Sequence, residues 1–122
     1  MATYVKINNT QYPAIIYGTA RDENWNNRES KSIVVEMPYD EALNIFVDDV
    51  DWFIIQEREE NIQSLDIETK EFVNSLEIKQ EIYDNSEYSI AGDITNHRNG
   101  TVTVKMGKPT AEEILKMLEE VF

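Results

Sequence analysis

The stretch around Asn99 and Gly100 constrains the fold most, because it has the composition of a tight turn between two strands. Both residues accept the positive φ angles of a short hairpin loop, and apolar runs lie on either side of them. Residues 101–105 alternate Thr or Lys with Val, which is typical of a half-buried strand. The pattern predicts an antiparallel hairpin formed by strands at 88–94 and 101–105, with Gly92 marking a bulge.

The same alternation of apolar and polar side chains recurs in the rest of the chain. It predicts further strands at the following positions: 4–8, 11–20, 31–37, 52–58 and 77–83. Asn8-Asn9 supplies a turn after the first of them, since Asn tolerates positive φ. Residues 21–30 are polar apart from Trp25 and are expected to form a long loop.

Two helices are predicted, and both follow a proline. Asp40, two residues after Pro38, is the expected N-cap of a short helix from about 41 to 47. Thr110 and Glu113 have the spacing of a capping box, in which each side chain binds the other residue's backbone N–H. The helix that begins there has one apolar stripe, made of Ile114, Leu115, Leu118 and Val121.

The order of these elements predicts an α+β fold, mainly an antiparallel β-sheet with a short central helix and a C-terminal amphipathic helix. At 122 residues the chain is expected to be a single domain, 1–122. Within it, 59–80 is expected to be a variable insertion or a projecting hairpin. The sequence of 59–76 fits a hairpin with its turn near 68–70, and it fits a short helix nearly as well.

The formal net charge of −13 comes from the middle of the chain. Residues 36–93 hold 17 acidic side chains against Arg58, Lys70 and Lys79, whereas the two flanking segments are nearly balanced. Such a field repels phosphate backbones and anionic membranes, so neither nucleic acid nor a membrane is an expected partner. A basic protein surface is the expected partner, and divalent cations would also be attracted.

The sequence carries no recognisable catalytic or cofactor motif, so no catalytic residue, cofactor or metal is predicted. His97 is the only histidine and stands beside the Asn-Gly turn, and the four glycines are isolated from one another. Asp48, Asp49 and Asp51 offer carboxylate oxygens, but they lack the spacing of a calcium-binding loop. The three aspartates are therefore expected to end the central helix and to be candidates for binding a protein.

Trp25 is the other candidate for protein binding, together with Arg21 and Arg28. Tryptophan and arginine are enriched among the residues that anchor interfaces, and Trp25 stands in an otherwise polar segment. The alternative is that Trp25 folds back as a lid over the edge of the sheet. Trp52, which precedes an apolar strand, is expected to lie in the core.

Two runs of the chain resemble small uncharacterised proteins of phages and prophages of Gram-positive bacteria. The first run carries Tyr12-Pro13, Trp25-Asn26-Asn27-Arg28-Glu29-Ser30, Ile33-Val34-Val35-Glu36-Met37, Phe46-Val47-Asp48-Asp49 and Trp52. The second carries Tyr83-Asp84-Asn85-Ser86, Ala91-Gly92-Asp93-Ile94, His97-Arg98-Asn99-Gly100-Thr101-Val102-Thr103-Val104 and Met106-Gly107-Lys108-Pro109-Thr110. The opening strands also resemble the N-terminal segments of siphophage tail-hub and distal-tail proteins.

The resemblance implies a tail-tip or baseplate setting and no activity. The first hypothesis is a non-enzymatic structural or assembly protein that contacts other phage tail proteins, with an oligomer of identical chains as one form of such contact. The second is an acidic prophage regulator that mimics nucleic acid to bind a host protein. The third is a small hydrolase, which would need two carboxylates converging in an apolar cleft. The expected location is the bacterial cytoplasm during synthesis, since no signal peptide is visible, and then the virion tail.

Overall fold

In a computed structural model, the described part of the chain covers residues 2–121, with side chains described for 2–119. Seven strands and two helices lie in this part of the chain. They are β1 (Thr3–Ile7), β2 (Thr10–Asp22), β3 (Arg28–Glu36), α1 (Tyr39–Ile45), β4 (Trp52–Leu65), β5 (Phe72–Asp84), β6 (Ile90–Asn96), β7 (Thr101–Gly107) and α2 (Ala111–Val121).

The described strands form one sheet in the order β5-β4-β1-β2-β3-β7-β6, and every neighbouring pair is antiparallel. The expected α+β class with a mainly antiparallel sheet is therefore confirmed. Consecutive strands pair through tight turns, as at Asn8 and Asn9, where φ is 52° and 64°. Two connections cross the sheet: the segment that contains α1, and the link from β5 to β6.

The sheet must curl, because its two edge strands are joined by a short link. The link from Asp84 to Ile90 has six Cα steps and reaches at most about 23 Å. Seven strands laid flat would place the outer two about 29 Å apart. Bulges in β2, at Gly18, and in β6, at Gly92, interrupt the register where the sheet bends.

The core fills the inner, concave face of this curled sheet. Val5 lies opposite both Tyr12 and Ile54, and directly opposed residues share a face, so these side chains point the same way. The same face carries Ile33, Val35, Val102, Val104 and Met106, all of which are fully buried. Trp52 is buried there as expected and donates its indole N–H to the carbonyl oxygen of Tyr88 at 3.1 Å. Helix α1 contributes Ala42 and Phe46 to the same cluster.

Three local predictions need correction. Residues 21–30 are not a long loop, because β2 continues to Asp22 and β3 begins at Arg28, with Asn26 and Asn27 at positive φ in the turn between them. Helix α1 begins at Tyr39 with Pro38 as its N-cap, so Asp40 lies in its first turn and makes no capping hydrogen bond. In the turn before β7, positive φ falls on Arg98 and Gly100 rather than on both Asn99 and Gly100.

Strands β4 and β5 form a long hairpin whose outer part projects from the sheet. The pairing of β4 with β1 ends at Gln56, whereas its pairing with β5 continues to Leu65. We call residues 58–79 the arm: eight strand pairs, about 27 Å long, closed by a turn at 66–71. Residues 59–76 thus lie in a hairpin and contain no helix.

Candidate protein-binding surfaces

Trp25 folds back over the outer face of the sheet, as the lid alternative describes. It lies in the turn between β2 and β3 and is half-buried. Its ring rests on Gly92 of β6 and Gly107 of β7, where a Cβ atom would lie 2.7 Å and 2.9 Å from the nearest ring atom. The two glycines therefore make the flat site on which the indole packs.

Arg28 is not available to a partner, because it is only 3% exposed and both of its terminal nitrogens are hydrogen-bonded within the chain, while its Nε is buried without a hydrogen-bond partner. Its guanidinium forms two hydrogen bonds to the Glu113 carboxylate, at 2.6 and 2.9 Å, and a third to the Lys108 carbonyl oxygen at 3.0 Å. The Trp25 ring stacks over it, 4.7 Å from ring centroid to Cζ. These contacts attach the start of α2 to β3.

Glu113 joins this arrangement to the capping box at the start of α2. Its carboxylate accepts the Thr110 backbone N–H at 2.9 Å, while the Thr110 hydroxyl accepts the Glu113 N–H at 3.2 Å. Two effects lower the pKa of Glu113 to about 2: the hydrogen bonds from Arg28 have the largest effect, and the hydrogen bond from the Thr110 backbone has the next largest. Of the three residues proposed as a patch, only Arg21 is exposed, so Trp25, Arg21 and Arg28 do not form one open binding surface.

Two of the three aspartates after α1 have a structural role. Asp48 accepts the Ala91 backbone N–H at 2.8 Å, and Asp49, at φ 63°, donates its own N–H to the Ser89 carbonyl oxygen at 2.8 Å. These bonds fasten the loop to the start of β6, although Asp48 and Asp49 are exposed, as is Asp51. Among the described residues, no three acidic or histidine side chains converge in a way that would hold a metal ion.

A depression of about 570 Å³ beside Trp25 is lined by Asp22, Asp93 and Lys105. Asp22 and Lys105 form an ion pair there at 2.5 Å. The hydrogen bond from Lys105 lowers the pKa of Asp22, so this carboxyl is held in its ionised form. A general acid at neutral pH needs a raised pKa, which this environment does not give to Asp22.

The arm presents an apolar row on its outer face. Strand alternation places the even-numbered side chains of β5 on that face, and Phe72, Leu76 and Ile78 are 69%, 70% and 68% exposed. Leu65 of β4 lies directly opposite Phe72 and is also exposed. Asn74 interrupts the row between Phe72 and Leu76. The β4 side of this face carries polar side chains: Glu59, Asn61 and Gln63. Clusters of large exposed apolar side chains rimmed by polar residues mark a surface that other proteins cover.

The inner face of the arm is charged near its base, where two cross-strand pairs carry like charges. Glu60 lies opposite Glu77, and two residues further along the strands Arg58 lies opposite Lys79. The compensating ion pairs run elsewhere: Arg58 to Glu81 at 2.9 Å and Lys79 to Glu77 at 3.3 Å. Acidic and basic side chains therefore alternate along this face instead of forming a row of carboxylates.

Helix α2 leaves most of its apolar stripe exposed. The capping box and the Arg28 pair hold its first turn, but Ile114, Leu115 and Leu118 are each about half-exposed. Val121, the last member of the expected stripe, lies outside the described side chains. No helix in residues 2–121 has the length and apolar character needed to cross a membrane.

Sequence reasoning predicts a projecting acidic insertion that docks on a basic partner face, but it missed the apolar row of the arm, although a signal for that row exists. Phe72, Leu76, Ile78 and Ile82 all stand at even positions, which is the period of one strand face. Treating 59–76 and 77–83 as separate segments hid this single row.

Comparisons of the chain with protein-family models, with curated proteins and with solved structures find no match.

Proposed function

We propose that the protein is a non-enzymatic structural or assembly component of a phage or prophage tail or baseplate, which acts by binding other proteins through its arm. The observation that carries the protein-binding part is the exposed apolar row on the outer face of the arm. None of the buried core residues lies in residues 58–79, so the projecting length of the arm contributes little to the core. A long hairpin of this kind is explained by a contact outside the chain.

The tail setting is supported by the resemblance to small phage proteins of Gram-positive bacteria and to the opening strands of tail-hub proteins. An arm about 27 Å long reaches beyond the rest of the sheet and can contact a neighbouring protein in an assembly. The balanced charges on the inner face of the arm leave the apolar face as the main source of binding energy.

The carboxyl groups with shifted pKa support a non-enzymatic role. Among the described residues, the shifted carboxyls are Asp22, Glu29, Asp84 and Glu113, and each pKa is lowered by a hydrogen bond from a neighbouring group. Lowered values are typical of structural ion pairs and turns. Nucleic-acid mimicry gains no support from the arm, because Arg58 and Lys79 interrupt its acidic residues.

The experiment is to produce the protein with the proteins encoded beside its gene and to analyse any purified phage tails by mass spectrometry. We expect the wild-type protein in the particles or in a complex with a tail protein. Leu76→Ser, on the apolar row of the arm, should remove it from both. Leu43→Ser, a matched change at an exposed position of α1, should not. Absence of the wild-type protein from particles and from every tail-protein complex would contradict the proposal.

A further inference from the structure

We infer that the partner of the β5 edge is a second copy of this chain, whose β5 pairs with it in antiparallel orientation around a two-fold axis at Ile78. The inference goes beyond the proposed function and does not depend on it. It rests on three features of the arm: an open strand edge, a charge pattern that complements itself, and exposed apolar side chains, Leu76 and Ile78, beside the axis.

Strand β5 is an edge strand of 13 residues, and its outer backbone groups can be assigned. At the tip, the Asp66 N–H donates to the Glu71 carbonyl oxygen, and at the base the Asn85 N–H donates to the Trp52 carbonyl oxygen, both at 2.9 Å. Alternate residues of an antiparallel strand bond to the same neighbour, so the odd-numbered residues of β5 bond to β4. The even-numbered residues direct N–H and C=O outward, where no described strand lies.

An outer edge of this length invites pairing, and natural proteins protect such edges with prolines, bulges, short strands or charged side chains. Strand β5 contains no proline, and its register with β4 is unbroken from Phe72 to Asp84. Its charged side chains, Glu77, Lys79 and Glu81, alternate in sign, so they oppose only those partners that do not match this pattern. Ile78 is the middle residue of the strand and belongs to the outward-directed set. A two-fold axis there pairs all 13 residues of each copy and lets the two Ile78 residues exchange both backbone hydrogen bonds.

The charges on the inner face fit this register. Directly opposed residues have numbers that add to 156, so Glu77 of each copy lies opposite Lys79 of the other. The two-fold axis therefore creates two such pairs. The row across four strands then reads Glu60, Glu77, Lys79 of the second copy and Arg58 of the second copy. Each like-charged pair within one arm thus lies beside a pair of the opposite sign, which resolves the repulsion left within the single chain.

Other registers that keep the faces aligned are less favourable. An axis at Glu77 places two Glu77 carboxylates opposite each other, and an axis at Lys79 does the same for two ammonium groups. An axis at Gln80 pairs Lys79 with Glu81 of the second copy but leaves the outer part of each arm unpaired. Only the axis at Ile78 combines opposite charges with full overlap.

The apolar row supplies the remaining contact. With the axis at Ile78, the two exposed Ile78 side chains lie directly opposite each other on the outer face, and each has Leu76 of the other copy as a diagonal neighbour. Leu76 itself lies opposite Gln80, and Ile82 lies opposite Asn74. The net charge of −13 on each chain opposes association at long range, but this repulsion is screened beyond about 8 Å at physiological salt. Short-range complementarity along the arm therefore decides whether the dimer forms.

The test is the mass of the purified protein in 0.15 M salt, about the physiological ionic strength, measured by light scattering after gel filtration. The wild type should have twice the monomer mass of 14.2 kDa. Glu77→Lys and Lys79→Glu should each weaken the dimer about tenfold or more, since each turns two attractive cross-strand pairs into repulsive ones. A mixture of the two variants should recover a one-to-one dimer, because every opposed pair is then of opposite sign.

The two variants change the net charge in opposite directions, so a general charge effect predicts opposite outcomes for them. Glu23→Lys, in the exposed turn before β3, changes the charge as Glu77→Lys does and should leave the dimer intact. Circular dichroism of each variant confirms that it is folded. A monomeric wild type, a Glu77→Lys variant that dimerises as well as the wild type, or a mixture that stays monomeric would each overturn the inference.

Discussion

Trp25 and Gly92 are coupled through a contact that admits no extra atom. A Cβ added at Gly92 would lie 2.7 Å from the Trp25 ring and 3.0 Å from the Lys105 carbonyl oxygen. We predict that Gly92→Ala lowers the free energy of unfolding by about 1–3 kcal/mol, the usual cost of overpacking. In a Trp25→Ala background the same change should cost at least about 1 kcal/mol less, because the ring it strikes is gone. Urea unfolding of the four proteins in this cycle measures the coupling, and purely additive costs would show that the ring does not rest on Gly92.

The Arg28–Glu113 pair predicts a pH dependence. Removing the Glu113 charge leaves a buried guanidinium without its anion, so Glu113→Gln should cost on the order of 2 kcal/mol at pH 7. The pKa of Glu113 is lowered to about 2 in the folded protein from the ordinary glutamate value of 4.5. The stability that this carboxylate contributes is therefore complete above about pH 4.5 and is lost as the pH falls toward 2.

Thermal unfolding of the wild type and Glu113→Gln between pH 7 and pH 3 checks this prediction. The difference in melting temperature should be constant down to about pH 5 and should then shrink. Glu112→Gln, one residue earlier on the same helix turn and exposed, is the matched control and should give a small difference at every pH. A Glu113→Gln difference that does not change with pH would contradict the role assigned to the ion pair.

At the scale of elements, we expect that the arm is not needed for the rest of the chain to fold. Gln56 and Glu81 are directly opposed where β4 leaves its last pairing with β1, so an Asn-Gly turn between them can close a shorter hairpin. We predict that replacing residues 57–80 by Asn-Gly leaves a folded protein whose melting temperature lies within about 5 °C of the wild type, roughly 1 kcal/mol for a domain of this size. Circular dichroism on heating measures this, and loss of the cooperative transition would show that the arm is needed to fold the sheet.

The position of the strands follows from the sequence, whereas the role of their faces does not. Alternation around Val102 and Val104, and around Val5 and Ile7, predicts strands that the structure has in nearly the same places. The same alternation at Leu76 and Ile78 predicts an apolar face, but a sequence pattern does not reveal whether anything covers it. What covers a face is decided by the register of distant strands, which no local pattern encodes.

The prediction of a long loop around Trp25 was wrong for a related reason. Its polar composition suggested a long loop, yet Asn26 and Asn27 at positive φ close a tight turn that puts the indole over two glycines. Gly92 was expected as a bulge, and the register of β6 does shift there. That Gly92 also receives the Trp25 ring depends on strands far apart in the chain, as does the burial of Arg28 by Glu113.

At the scale of the whole molecule, the curled sheet places its two edges in different environments. The link after Asp84 draws the base of β5 toward the start of β6, and α1 packs against β6 and β7 on the inner face. The outer edge of β5, along the arm, extends away from this closed part. The molecule therefore combines a closed core with one long open edge, and an assembly through that edge leaves the core unchanged.

The outer edge of β5 leads to a further prediction, in which the rate of amide exchange depends on whether the residue number is odd or even. In a single chain, the odd-numbered amides of β5 bond to β4, so they should exchange with solvent more slowly than the even-numbered amides, which point outward. In the dimer, the even-numbered amides bond to the second copy and should become slow as well. Amide exchange followed by NMR should thus show uniform protection of residues 73–83 in the wild type and an alternating pattern in the monomeric Glu77→Lys variant. An alternating pattern in both proteins would mean that the edge stays open, and uniform protection in both would mean that another contact covers it.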